Sequence, residues 1–229
     1  MVVALPVNYG IVLFPGFQAL DAFGPLDVLN MLSQTHQLNL SIIAATLDPV
    51  STTPLVNLYN STMSQAIVPT HTFKEPPTGL EVLLVPGGGG TRPNITDAIQ
   101  YTKEVYPSLK YILSVCTGAS ILARAGILDG KRATTSKFAW AWATSTGPNV
   151  TWVPAARWVE DGNIWTSSGV AAGLDSTLAF VSKIYGEDVA LTIANTIEYE
   201  RHTDASWDPF SAIWNVLLRL SKLSISLVV

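Results

Sequence analysis

Four short, almost uninterrupted apolar runs, YGIVLF (9–14), LNLSIIAATL (38–47), EVLLVPG (81–87) and YILSVC (111–116), punctuate the first half of this 229-residue chain. A strand that is apolar at nearly every position is buried on both faces, which happens where helices cover a parallel sheet from both sides. The stretches between these runs, FQALDAFGPLDVLNMLSQ and TDAIQYTKEVYPSLK, read as helices. The alternation predicts an α/β fold with a mostly parallel central sheet. In the second half, TWVPAARWVEDGNIWTSSG reads as a hairpin turning at Asp161-Gly162. After it, VAAGLDSTLAFVSKIYG places Leu174, Leu178, Val181 and Ile184 on one helical face, ready to close over the sheet. Neither linker, repeat nor low-complexity run interrupts the pattern, so a single domain over residues 1–229 is expected.

Charged residues make up 13% of the chain and hydrophobic ones 48%. The usual charged share is about 25%, so an unusual amount of surface is expected to be buried, most simply in a homo-oligomer. A net charge of -4, with no basic run longer than Lys131-Arg132, argues against a nucleic-acid partner. One cysteine and three dispersed histidines, His36, His71 and His202, supply neither a disulfide nor a common structural zinc site. The N-terminal MVVALPVNYGIVLFPGF lacks a basic leader and a cleavage site, and the tail VLLRLSKLSISLVV is interrupted by Arg219 and Lys222. The tail is read as a packing or dimer-contact segment, membrane association is not expected, and the cytoplasm is the expected location. The sequons at Asn39, Asn60, Asn94 and Asn149 are accordingly read as chance.

Three places carry possible chemistry. Cys116 ends an apolar run and is followed at once by small residues, TGAS. A thiol at the carboxyl end of a parallel strand, before a helix, sits where such sheets bind ligands, and the helix dipole there favours a thiolate. Free cysteines are also among the most buried of residues, so inert packing is an equal alternative. The run VPGGGGTRPN (85–94) lets backbone approach a ligand closely or aim N–H groups at developing charge. It matches neither the phosphate-loop nor the dinucleotide pattern and is equally well a plain turn. Asp21, in LDAFGPLDVL, is either a solvated helix cap with Pro25 marking the helix start, or a carboxyl buried beside Cys116 with a raised pKa.

Together, GIVLFPGFQALDAFGPLDVL, VLLVPGGGG, SVCTGASILARAGILDGKRATT and EDGNIWTSSGVAAGLDSTLAFV resemble the DJ-1/PfpI superfamily, and within it the isonitrile hydratase-like branch. The resemblance implies a flavodoxin-like three-layer sandwich, akin to class I glutamine amidotransferase domains, that forms a homodimer and acts on a small-molecule substrate without a cofactor or metal. It implies that Cys116 is a nucleophile on a strained elbow and Asp21 its acid/base partner. It also implies that the backbone amides of Thr117 and Gly88 form an oxyanion-hole-like, substrate-binding pocket, with the Thr117 hydroxyl touching the acid. Two departures stand out. Thr117 occupies the position where many superfamily members carry His, and Ser136 follows ATT where the branch often has His. The aromatic residues Phe138, Trp140 and Trp142 beyond it are candidates for lining a pocket, with core packing the alternative. The other activities this pattern allows are a different cysteine-dependent lyase, hydratase or isomerase, and a non-catalytic cysteine redox or ligand sensor.

Overall fold

The computed structural model describes residues 4–216; most of the apolar tail (217–229) lies outside the described residues. In chain order the strands are β1 Asn8–Val12, β2 Asn39–Ala44, β3 Val50–Ser51, β4 Ala66–Ile67, β5 His71–Thr72, β6 Val82–Val85, β7 Tyr111–Ser114, β8 Arg132–Ala133, β9 Thr151–Trp152, β10 Trp158–Asp161 and β11 Ile164–Ser167. The helices are α1 Ala19–Ser33, α2 Thr96–Val105, α3 Ala119–Arg124, α4 Trp140–Ser145, α5 Ala172–Tyr185, α6 Glu187–Thr196 and α7 Phe210–Ile213. Seven strands form one sheet in the order β10-β11-β7-β6-β1-β2-β5, and only the β10–β11 pair is antiparallel. The α/β expectation therefore holds. Helices α1, α5 and α6 pack together, as do α2, α3 and α4, giving a three-layer arrangement about the sheet.

The apolar runs explain the centre. Ile11 lies opposite Ile42 on one side and Leu84 on the other, and Leu84 in turn lies opposite Leu113. Leu178 and Val181 on α5 are fully buried, and Leu174 and Ile184 pack against the same core. Each such buried aliphatic side chain stabilises the fold by about 1.5–3 kcal/mol.

Two local expectations shift. Pro25 lies inside α1, which starts earlier at Ala19. Proline has no N–H for the carbonyl four residues back, here that of Asp21, so the helix loses one bond in the turn that carries the acid. In the hairpin, Asp161 pairs with Ile164, so the two-residue loop is Gly162-Asn163. Gly162 has φ +65°, matching the turn class that places glycine first. The residues ahead of that hairpin join a separate small sheet, β8 with β9.

The chain runs from β1 to β2 in one direction, then crosses back to place β6 on the other side of β1. Ligands bind beyond the carboxyl ends of strands at such a reversal. The loops after β1, β6, β7 and β11 all open at that end.

Candidate active site

Cys116 follows β7 with φ +57°, in the left-handed region. For a residue with a Cβ this costs about 1–2 kcal/mol, so the surroundings must impose it. They do so through both backbone groups of the residue. The Cys116 N–H donates to the Ser168 carbonyl at 3.0 Å, and the Thr135 hydroxyl donates to the Cys116 carbonyl at 2.9 Å. The turn is also wedged against β6, since a Cβ on Gly118 would stand 2.2 Å from the Val85 carbonyl oxygen. Only glycine fits that approach.

Asp21, in the first turns of α1, lies behind the thiol and is 1% exposed. It is not a solvated cap. Its Oδ2 accepts the Gly87 N–H at 2.9 Å, while Oδ1 has no hydrogen-bond partner among the described residues. Burial raises this carboxyl from 3.8 to about 7, against the downward pull of the Gly87 N–H and of the Cys116 thiol. The thiol and carboxyl thus act on each other directly, although their geometry stops short of a formed hydrogen bond.

Burial and the neighbouring Asp21 charge push Cys116 up to about 12. The Ser136 hydroxyl and the N–H groups of Thr117 and Val170 pull the other way without overcoming that rise. The resting sulfur is therefore a thiol, contrary to the thiolate expected from the helix dipole. Cys116 to Gly118 form a single tight turn before α3, which has only six residues. So short a helix carries little dipole against desolvation.

The glycine run serves the acid more than an open ligand site. Gly87 has no room for a side chain, because a Cβ would meet Thr117 N at 2.5 Å, Thr117 Oγ1 at 2.6 Å and Asp21 Oδ2 at 2.9 Å. The Gly88 N–H donates to Thr117 Oγ1 at 2.9 Å, so in this arrangement the amide is occupied, not aimed at a ligand. The Thr117 hydroxyl meets Gly88 and Thr91, not Asp21.

A cavity of about 460 Å³ opens onto Cys116. Gly88, Gly89, Thr117, Ser136, Ser168 and Val170 line it together with Cys116. Phe138 lines it too, whereas Trp140 is buried in the core and Trp142 lies under the Arg92 guanidinium at 4.6 Å. Sequence reasoning missed the contributions of Lys137, Arg157, Phe210 and Trp214, which come from distant segments and carry no local motif. Buried ion pairs hold two of these walls: Lys137 with Asp208 at 3.0 Å and Arg157 with Asp175 at 2.5 Å.

Residues 10–183 match the DJ-1/PfpI family. The chain belongs to this family. It is 34% identical over 198 residues to the isonitrile hydratase of Pseudomonas putida, covering 85% of this chain and 79% of that protein. Among solved structures, a ThiJ/PfpI family protein from Pseudomonas syringae superposes with a TM-score of 0.72 at 28% identity, covering 95% of this chain and 88% of the other. An AraC family transcriptional regulator from Pseudomonas putida shares the fold, with a TM-score of 0.69 at 18% identity over 84% of this chain and 100% of the other. Among the described residues no helix is long and apolar enough to cross a membrane.

Proposed function

We propose that this family member hydrates an isonitrile, R–N≡C, to the formamide R–NH–CHO, using Cys116 as nucleophile and Asp21 as acid/base. The observation that carries this reading is the pairing of a strained, cavity-facing thiol with a buried carboxyl whose pKa is raised to about 7. The 34% identity to an isonitrile hydratase supports the choice of substrate.

The thiol adds across the terminal carbon. Sulfur forms the C–S bond while its proton passes through Asp21 to the same carbon, leaving the thioimidate Cys–S–CH=N–R. Asp21 then draws a proton from the attacking water and delivers it to nitrogen. Collapse of the tetrahedral adduct breaks the C–S bond, and the hydroxyl proton returns to sulfur. A carboxyl near pH 7 suits both directions of this traffic, because neither its protonated nor its ionised form is scarce. Ser136 and the Thr117 and Val170 amides steady negative charge on sulfur as it leaves.

Incubating pure protein with an aryl isonitrile and following formamide by chromatography tests the reading. Turnover by wild type and loss in Cys116→Ala and Asp21→Asn support it; equal rates in all three eliminate it. A redox-sensing role is the second reading, favoured by a single free cysteine that lines the cavity. Selective oxidation of Cys116 by mild peroxide, seen by mass spectrometry without any turnover, would favour it. We also propose a homodimer, because Leu20 and Phe23 on α1 and Leu40 on β2 are exposed around one groove. A monomer by analytical ultracentrifugation at micromolar concentration would refute it.

A further inference from the structure

The segment from Asp208 to Trp214 lies beyond residue 183, where the family match ends, yet it forms part of the wall around Cys116. It is fastened to the body by a buried charge pair. Lys137 Nζ stands 3.0 Å from Asp208 Oδ2, with side chains 0% and 1% exposed. This is a contact of charges, not an aligned hydrogen bond, because the ammonium already donates to Thr134 Oγ1, Ala156 O and Ser168 Oγ at 2.8–3.1 Å. Upstream, the Arg157 N–H holds the Ala205 carbonyl at 2.8 Å.

Beyond the pair, Phe138, Phe210 and Trp214 all line the cavity, and the Trp214 and Phe138 rings are edge to face at 4.9 Å. All three remain substantially exposed: Phe138 69%, Phe210 43% and Trp214 41%. The cavity therefore grades from a polar floor at Cys116, Thr117, Ser136 and Ser168 to an aromatic rim. At about 460 Å³ it has room for far more than a two-atom reacting group. A flat apolar substituent on the isonitrile nitrogen would bury the rim while its carbon meets the thiol, gaining offset or edge-on ring contacts.

We propose that Phe138, Phe210 and Trp214 form an aryl-binding subsite, held in place by the Lys137–Asp208 pair, so that the substrates are isonitriles bearing a flat aromatic group. This rests on the isonitrile reading for the reacting end alone. The subsite is tested by kcat/KM for 2-naphthyl isonitrile relative to methyl isonitrile in wild type and Trp214→Ala, with at least a tenfold fall in the ratio expected. Cys116 labelling, read by intact mass, provides an arm independent of turnover. N-(2-naphthyl)iodoacetamide should label wild type at least tenfold faster than iodoacetamide, after normalising to free cysteine, and Trp214→Ala should erase most of that advantage. Labelling ratios equal within twofold in the two proteins overturn the subsite. If wild type hydrates no isonitrile, the catalytic reading fails while the labelling ratio still decides the subsite. Asp208→Asn, which keeps the oxygen that accepts the Phe210 N–H at 3.0 Å, should lower the labelling ratio by freeing the segment from Lys137. An unchanged ratio in Asp208→Asn overturns the role of the pair.

Discussion

Replacing Asp21 by Asn should produce a protein that is inactive yet more stable at alkaline pH. In the native state the carboxyl titrates at about 7, against 3.8 for an ordinary aspartate. The folded chain therefore holds this proton more tightly than the unfolded chain does. By linkage, that contribution to stability is fully present below pH 3.8 and is lost as the pH rises through about 7. At about 1.4 kcal/mol per tenfold change in proton affinity, the wild type gives up about 4 kcal/mol across this window. Asparagine imitates the protonated acid: its oxygen can still accept the Gly87 N–H, and it has no charge to desolvate. Urea unfolding of both proteins between pH 4 and pH 9 isolates the effect up to about pH 8, because every other titrating group is present in both and the thiol that Asp21 pushes up has an ordinary value of 9.0. The curves should nearly coincide at pH 4, separate as the pH rises to about 7 and run parallel beyond it, with the variant ahead by up to about 4 kcal/mol. A constant difference across the range would mean that Asp21 titrates as a solvated carboxylate, and the acid/base role would fall with it.

Alkylation of Cys116 by iodoacetamide should accelerate continuously from pH 7 to pH 10, since burial and Asp21 push the thiol up to about 12. A plateau below pH 8 would reveal a low-pKa thiolate instead. Cys116→Gly should unfold at least as late as Cys116→Ala in thermal melts, because glycine relieves a left-handed backbone worth about 1 kcal/mol or more. On the proposed hydration, Gly87→Ala should abolish formamide production, and it should cost about 2 kcal/mol or more, given a Cβ 2.5 Å from the Thr117 nitrogen. Wild-type activity in that variant would show that the acid pocket tolerates displacement. Thr117→Val leaves the Gly88 N–H without its acceptor, while the Thr91 hydroxyl keeps its bond to the Gly88 carbonyl, a loss of about 1–3 kcal/mol by urea unfolding.

The sheet was legible in sequence because double-sided burial leaves continuous apolar runs: three of the four runs contain their strands whole, and β1 starts one residue ahead of its run, at Asn8. The strand-end thiol was legible for the same reason, since the run stopping at Cys116 marked where the loop begins. Turn details were less so: Pro25 signalled a helix start but sits within α1, where tertiary packing tolerates the missing bond. The upward push on the thiol was not legible, because helix length and burial, unlike residue type, cannot be read from CTGAS. Nor did any local pattern join Lys137 to Asp208 or bring Trp214 to Phe138. Those contacts depend on how the last third of the chain returns across the sheet.

That return divides labour along the polypeptide. Asp21, Gly87, Cys116 and Thr117 all precede residue 120, whereas Ser136, Phe138, Arg157, Val170, Phe210 and Trp214 follow residue 130. A crossover placed at Gly130, an exposed left-handed glycine, would separate the reacting groups from much of their enclosure. Hybrids spliced there between relatives should inherit reaction type from the leading parent and substrate preference from the trailing one.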